Sequence, residues 1–242
     1  MEPLTGQIAL VTGASQGIGK AIALALAAQG ATLCLVGRKV EALQAVADSV
    51  GSNRLRARSY RADLTRDEDI QQLAESLTRD FGHLDILVHC AGMIFLGPLE
   101  RAPVAEFDAQ FRANVRASYA LTQALLPLLR ARRGQIVFIN SSVGLQARGG
   151  VGQFAATQHA LKAIADSLRE EINAEGLRVL SVFPGRTATP RQKVIHEIEG
   201  KTYHPELLMQ PEDVASVVIN ALGLPRSAEV TDISMRSLIK SY

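Results

Sequence analysis

Residues 7–19 read Gln-Ile-Ala-Leu-Val-Thr-Gly-Ala-Ser-Gln-Gly-Ile-Gly, and no other stretch of this 242-residue chain constrains the fold as tightly. The apolar run at 8–11 has the composition of a parallel strand buried on both faces. Gly13, Gly17 and Gly19 follow, and Ile18, Ile22, Ala25 and Leu26 then repeat at helical spacing. A strand, a glycine turn and a helix start together make an anion cradle. Backbone N–H groups at the helix N-terminus point outward, and the missing side chains let a phosphate approach. The spacing Gly-x3-Gly-x-Gly departs from the commoner Gly-x-Gly-x-x-Gly pattern. Such a turn also occurs purely for folding. The strand before it and the helix after it favour nucleotide binding, with Gly13, Ser15, Gln16, Gly17, Ile18 and Gly19 at the phosphates.

Further apolar runs at 31–36, 85–89, 135–140, 177–183 and 230–235, and a mixed-polarity edge strand at 54–60, alternate with helical patterns. Helices are expected over 40–50 (closed by Gly51), 65–80, 104–132 with a kink at Pro127, 153–175, and onward from 210. Residues 191–209 lack clear periodicity and carry several charges, which marks about 187–209 as a substrate lid or binding loop. With short connections, no repeat and no linker, the pattern predicts one doubly wound α/β domain over 1–242, built on a parallel sheet. The 47% apolar content is ample for one large core.

A formal charge of +2 and the absence of any Lys/Arg run argue against a nucleic-acid partner. No apolar run reaches membrane-spanning length, and no basic-then-apolar leader opens the sequence, so the expected location is the cytoplasm. The five histidines show no metal-ligand spacing. Cys34 falls on the second strand and Cys90 just after the fourth; flanking the first strand on opposite sides, they stand roughly 10 Å apart, too far for a disulfide. The second strand ends in Gly37-Arg38-Lys39, where such folds read the adenosine ribose. With no carboxylate to take a 2′-hydroxyl and two cations present, NADP(H) is expected over NAD(H), with Arg38 at the 2′-phosphate. Asp63, followed by Leu64, suits either the adenine amino group or a helix cap. Small residues at Cys90, Ala91 and Gly92 let backbone pass close to a cofactor. Asn114 sits among apolar neighbours, so a structural role competes with a functional one.

The residues from Thr12 to Gly19, with Asp63, His89 to Gly92, Asn114, Ser141 and the Pro184-Gly185 turn, resemble the short-chain dehydrogenase/reductase family. The resemblance implies a seven-stranded Rossmann-type sheet and hydride transfer between a nicotinamide cofactor and a small carbonyl or alcohol substrate. It also places Pro184, Gly185 and Thr187 at the cofactor and implies a homodimer or homotetramer built on the two long helices. The family's Asn-Asn-Ala-Gly stands here as His89-Cys90-Ala91-Gly92. Ser141, rather than Ser142, falls on the family's catalytic serine, and Asn114 on its active-site asparagine.

The departure that matters is the family's Tyr-x-x-x-Lys, which reads Phe154-Ala-Ala-Thr-Gln158. In the resembled mechanism the tyrosine passes a proton to or from the substrate oxygen. The lysine lowers that hydroxyl's pKa and holds the nicotinamide ribose. Phe154 keeps the ring without the proton, and Gln158 keeps hydrogen bonding without the charge. His159 is turned away from the cleft by its helical position, whereas Tyr203 and His204 in the lid-like segment are candidate replacement acids. Three readings stay open at this point: an NADP(H)-dependent oxidoreductase with weakened or altered chemistry, a non-catalytic NADP(H)-binding sensor or partner, and an engineered inactive form of an ordinary reductase.

Overall fold

The computed structural model describes residues 4–50 and 57–239. Seven parallel strands form one sheet: β1 (Ile8–Thr12), β2 (Thr32–Gly37), β3 (Ala57–Arg61), β4 (Ile86–His89), β5 (Gln135–Ile139), β6 (Arg178–Pro184) and β7 (Asp232–Met235). Their spatial order is β3-β2-β1-β4-β5-β6-β7. The connecting helices are α1 (Gly17–Ala28), α2 (Val40–Ser49), α3 (Asp67–Phe81), α4 (Val104–Phe111), α5 (Ala117–Arg130), α6 (Gly152–Ile172), α7 (Pro190–Ile198) and α8 (Pro211–Leu222). The closing Gly51 and residues 54–56 of the expected third strand lie outside the described residues. β3 occupies the sheet edge that its mixed polarity suggested.

Alternate residues of each central strand feed opposite faces, as the two-residue strand period requires. Ala9 and Val11 of β1, with Leu33, Leu35, Ile86 and Val88, pack against Ile22 and Leu26 of α1, Leu43 of α2 and Val218 of α8. Leu10, Cys34, Val36, Leu87 and Phe138 pack on the other face against Leu73 of α3, Leu125 of α5 and Leu161 of α6. Both faces are therefore covered, which is why these strands read as unbroken apolar runs. Chain order reverses between β1 and β4, and the strands' C-terminal ends open into a crevice there.

Two expectations need correction. The helical stretch from Val104 is not a single α-helix kinked at Pro127. It is broken by one π-helical turn, Arg112–Arg116, and α5 then runs through Pro127 to Arg130. The 187–209 segment is not loop throughout, because its first half is α7. Thr189 caps that helix, its side chain accepting from the Gln192 N–H at 3.1 Å, and Pro190 opens it. The face that α7 buries is polar, formed by Gln192 and His196, whereas Val194 and Ile198 are exposed. No apolar period exists there to be read.

β4 ends in a buried histidine. His89 stacks on Phe138 with ring centroids 4.8 Å apart, and its Nε2 is hydrogen-bonded to Thr122 Oγ1 at 2.9 Å. Cys34 and Cys90 are both free thiols, carried by or just beyond the strands on either side of β1.

Candidate active site

One cleft of about 390 Å³ lies at the C-terminal ends of the strands, within the usual range for ligand sites. Every cofactor and catalytic position expected from the sequence lines it. Lys39 does not, so of the two expected cations at the end of β2 only Arg38 faces the cleft.

The glycine turn is built for close backbone approach. A Cβ on Gly19 would stand 2.4 Å from the Gly13 carbonyl oxygen, and one on Gly13 would stand 2.9 Å from the Ala91 nitrogen. Gly13 and Gly17 have φ of +66° and +56°, in the left-handed region that glycine tolerates. Thr12 Oγ1 accepts from the N–H groups of Cys90 (2.9 Å) and Ala91 (3.1 Å), tying the turn to the end of β4. The cradle thus fits a phosphate-bearing nucleotide. Gly37 lines the cleft, and a Cβ on it would make only ordinary contact with Leu43 of α2, at 3.4 Å.

Asp63 does not cap α3. Its Oδ1 accepts from Thr65 N (3.0 Å) and Thr65 Oγ1 (2.8 Å), closing a turn ahead of the helix. Burial alone would raise its pKa, but the Thr65 bonds and the charges of Arg38 and Arg66 outweigh it and hold the carboxyl below its ordinary range.

The other half of the cleft hangs on Asn114, which the π turn presents. Its Oδ1 accepts from Met93 N at 2.7 Å, and its Nδ2 donates to Met93 O (2.9 Å) and Thr157 Oγ1 (3.1 Å). Gly92 is required beside it, since a Cβ there would lie 2.9 Å from Asn114 Oδ1. Thr157 Oγ1 donates to the Phe154 carbonyl at 2.8 Å, and Gln158 Nε2 donates to Thr157 Oγ1 at 3.3 Å. Asn114, Thr157 and Gln158 therefore form one buried polar cluster beneath Phe154. Ser141 follows β5, with its N–H donating to Asn140 Oδ1 at 2.7 Å and its Oγ accepting from Val143 N at 3.4 Å. Asn140 Nδ2 donates to the Gln158 carbonyl at 3.0 Å, pinning the end of β5 to α6.

The expected replacement acids are not in the cleft. Tyr203 packs edge-on against His196 at 5.3 Å, and His204 is exposed and paired with Glu206 at 3.1 Å. Neither lines the site. His159 is exposed, with its Nδ1 hydrogen-bonded to the Ala155 carbonyl at 2.9 Å. The acids that do reach the cleft are poorly matched to neutral pH. Burial would raise Glu199, but bonds from Arg186 and Lys201 reverse that and hold it low. Burial pushes the Cys90 thiol up to about 11, against the pull of the Arg191 charge.

Sequence reasoning missed Asn140, Arg148, Arg186, Thr189 and Arg191, all cleft-lining. The Thr189-Pro190 cap signature was the available signal for the last two. Among the described residues, no helix is long and apolar enough to cross a membrane, and no group of three or more His, Cys, Asp or Glu is placed to hold a metal.

Comparison with known proteins gives the family. Residues 7–200 match the family model for short chain dehydrogenases. An uncharacterized oxidoreductase of Staphylococcus epidermidis is 31% identical over 237 residues, covering 98% of this chain and 99% of that protein. The glycine betaine reductase of Emericella nidulans is 31% identical over 236 residues; the match covers 96% of this chain but only 19% of that much longer protein. A short chain dehydrogenase from Escherichia coli CFT073, solved in complex with NADPH, superposes with a TM-score of 0.89 at 33% identity, covering 96% of this chain and 98% of that one. The chain belongs to the short-chain dehydrogenase/reductase family of oxidoreductases.

Proposed function

We propose that this chain binds NADP(H) in preference to NAD(H) and has lost the proton donor of ordinary carbonyl reduction, so that its activity toward small carbonyl substrates is weak or altered. The observation that carries this reading is the pair Phe154 and Gln158, both lining the cleft where the family's tyrosine and lysine fall. The Gln158 amide is turned onto Thr157. When bound, the nicotinamide supplies or takes up the hydride. Gly13 to Gly19 receive the pyrophosphate, Arg38 the 2′-phosphate and Asp63 the adenine amino group. Cys90 to Gly92 and Pro184, Gly185 and Thr187 line the remainder of the dinucleotide path. Ser141 is left to hold a substrate oxygen, and Asn114 to fix the geometry of α6. The segment 187–209, with α7 in it, forms the lid side.

The NADPH complex of the Escherichia coli relative supports the cofactor class. Calorimetry is expected to give NADPH binding at least about tenfold tighter than NADH, with Arg38→Ala removing most of that margin, because a phosphate–guanidinium pair is a charge-assisted bond. Equal binding of the two cofactors, with Arg38→Ala neutral, would contradict the preference.

The intact glycine cradle beside a missing acid also favours a second reading, in which NADP(H) occupancy itself is the output and no substrate turns over. A homodimer or homotetramer is proposed across the two long helical stretches, α4–α5 and α6; Val104, Phe111 and Tyr119 are exposed on the first. Sedimentation at the mass of a single chain would contradict it. The two unpaired thiols support a reducing, cytoplasmic compartment.

A further inference from the structure

Three arginines near the middle of the cleft are held differently. Arg186 is neutralised by Glu199, its Nη2 donating to both carboxylate oxygens at 2.7 Å. Arg148 lies on the exposed turn before α6. Arg191, in the first turn of α7, reaches across to donate to the Gly92 carbonyl at 2.6 Å. That acceptor is a neutral oxygen, and among the described residues no carboxylate pairs with Arg191. Arg191 is itself exposed at the mouth of the cleft, and its charge pulls against the burial-driven rise of Cys90.

The position of Arg191 follows from its neighbours. A Cβ on Gly17 would stand 3.1 Å from Thr189 Cγ2, so the chain enters α7 directly over the glycine turn. Two residues later, Arg191 spans from that turn to the end of β4 at Gly92. A dinucleotide seated with its pyrophosphate on the N-terminus of α1 passes between these two points. The first turn of α1 holds no acidic side chain to compete for the cation.

We propose that Arg191 is a cofactor-binding residue whose guanidinium leaves the Gly92 carbonyl for the pyrophosphate of NADP(H). The inference rests on the NADP(H) reading above. A planar guanidinium meets two phosphate oxygens at once, and a charged acceptor makes a stronger bond than the carbonyl it replaces. Cofactor binding is thereby tied to the placement of α7, which carries Arg191.

The test is calorimetric titration of the unaltered chain, Arg191→Ala and Arg191→Lys with three ligands. These are NADPH, 2′-phospho-ADP-ribose (which keeps the pyrophosphate and lacks nicotinamide) and adenosine 2′-monophosphate (which lacks the pyrophosphate). Arg191→Ala is expected to weaken NADPH and 2′-phospho-ADP-ribose by the same factor, at least about tenfold, and to leave adenosine 2′-monophosphate unchanged. Arg191→Lys is expected to recover part of the loss. Undiminished NADPH binding in Arg191→Ala would overturn the inference and leave Arg191 for an anionic substrate group. Equal weakening of all three ligands would overturn it as general damage to the cleft. If Arg191→Ala does not fold, Arg191→Lys decides by the same comparison of ligands. Failure of the unaltered chain to bind any of the three would instead overturn the NADP(H) reading, and the inference with it.

Discussion

Replacing Phe154 by Tyr and Gln158 by Lys in the same chain is expected to raise the rate of NADPH-dependent carbonyl reduction by at least about 10²-fold, the low end of what a positioned acid–base contributes. The site is prepared for both residues. Phe154 and Gln158 already line the cleft. Residue 158 follows it by one helical turn on the same face. Asn114 and Thr157 hold the intervening turn. Each single reversion is expected to give less than the pair. A tyrosine without the lysine keeps a pKa near 10, well above the operating pH, and a lysine without the tyrosine has no proton relay to tune. Steady-state NADPH oxidation over a panel of ketones and aldehydes reads the effect. Equal rates for the double variant and the unaltered chain would show that the proton is not what limits the reaction.

A second large effect is expected from His89. Its burial against Phe138 lowers its pKa from 6.5 to about 3. Between those two values the unfolded chain binds a proton that the folded chain refuses. The neutral ring's full contribution is therefore present above pH 6.5, and it is lost as the pH falls, by about 1.4 kcal/mol per unit. The loss reaches roughly 3 kcal/mol by about pH 4.5, on the order of a hundredfold in the folding equilibrium. His89→Asn, carrying the family's residue, is expected to remove that part of the slope. Urea denaturation at a series of pH values measures it, and parallel stability–pH curves for the two proteins would contradict it.

The sheet and cradle were legible because their determinants are local or periodic. Strands β1, β2, β4, β5 and β6 are apolar runs because both faces are covered, and the mixed polarity of β3 marks it as an edge. Gly13, Gly17 and Gly19 announce a turn that no side chain can enter. The departures at Phe154 and Gln158 were readable because the flanking residues kept the register. What stayed hidden depends on partners distant in sequence. The Gln192 and His196 face of α7 is polar, so burial left no hydrophobic period. The π turn at Arg112–Arg116 reads as ordinary helix, since no breaker residue marks it and the bonds of its Asn114 run to Met93 and Thr157, distant in sequence. Tyr203 and His204 were plausible acids only while the segment was taken for a flexible loop. The turn through α7 puts Tyr203 against His196 instead.

The central claim is that this cleft binds the cofactor competently and lacks the acid. Rapid mixing in the pre-steady state tests it most directly, because it separates the chemical step from cofactor binding and product release. The unaltered chain, saturated with NADPH, is mixed with an excess of a carbonyl compound that the double variant reduces, and the nicotinamide absorbance is followed. The account predicts no burst and a decay at least about 10²-fold slower than in the double variant at the same occupancy. A burst of one equivalent per chain, at the rate of the double variant, would contradict it.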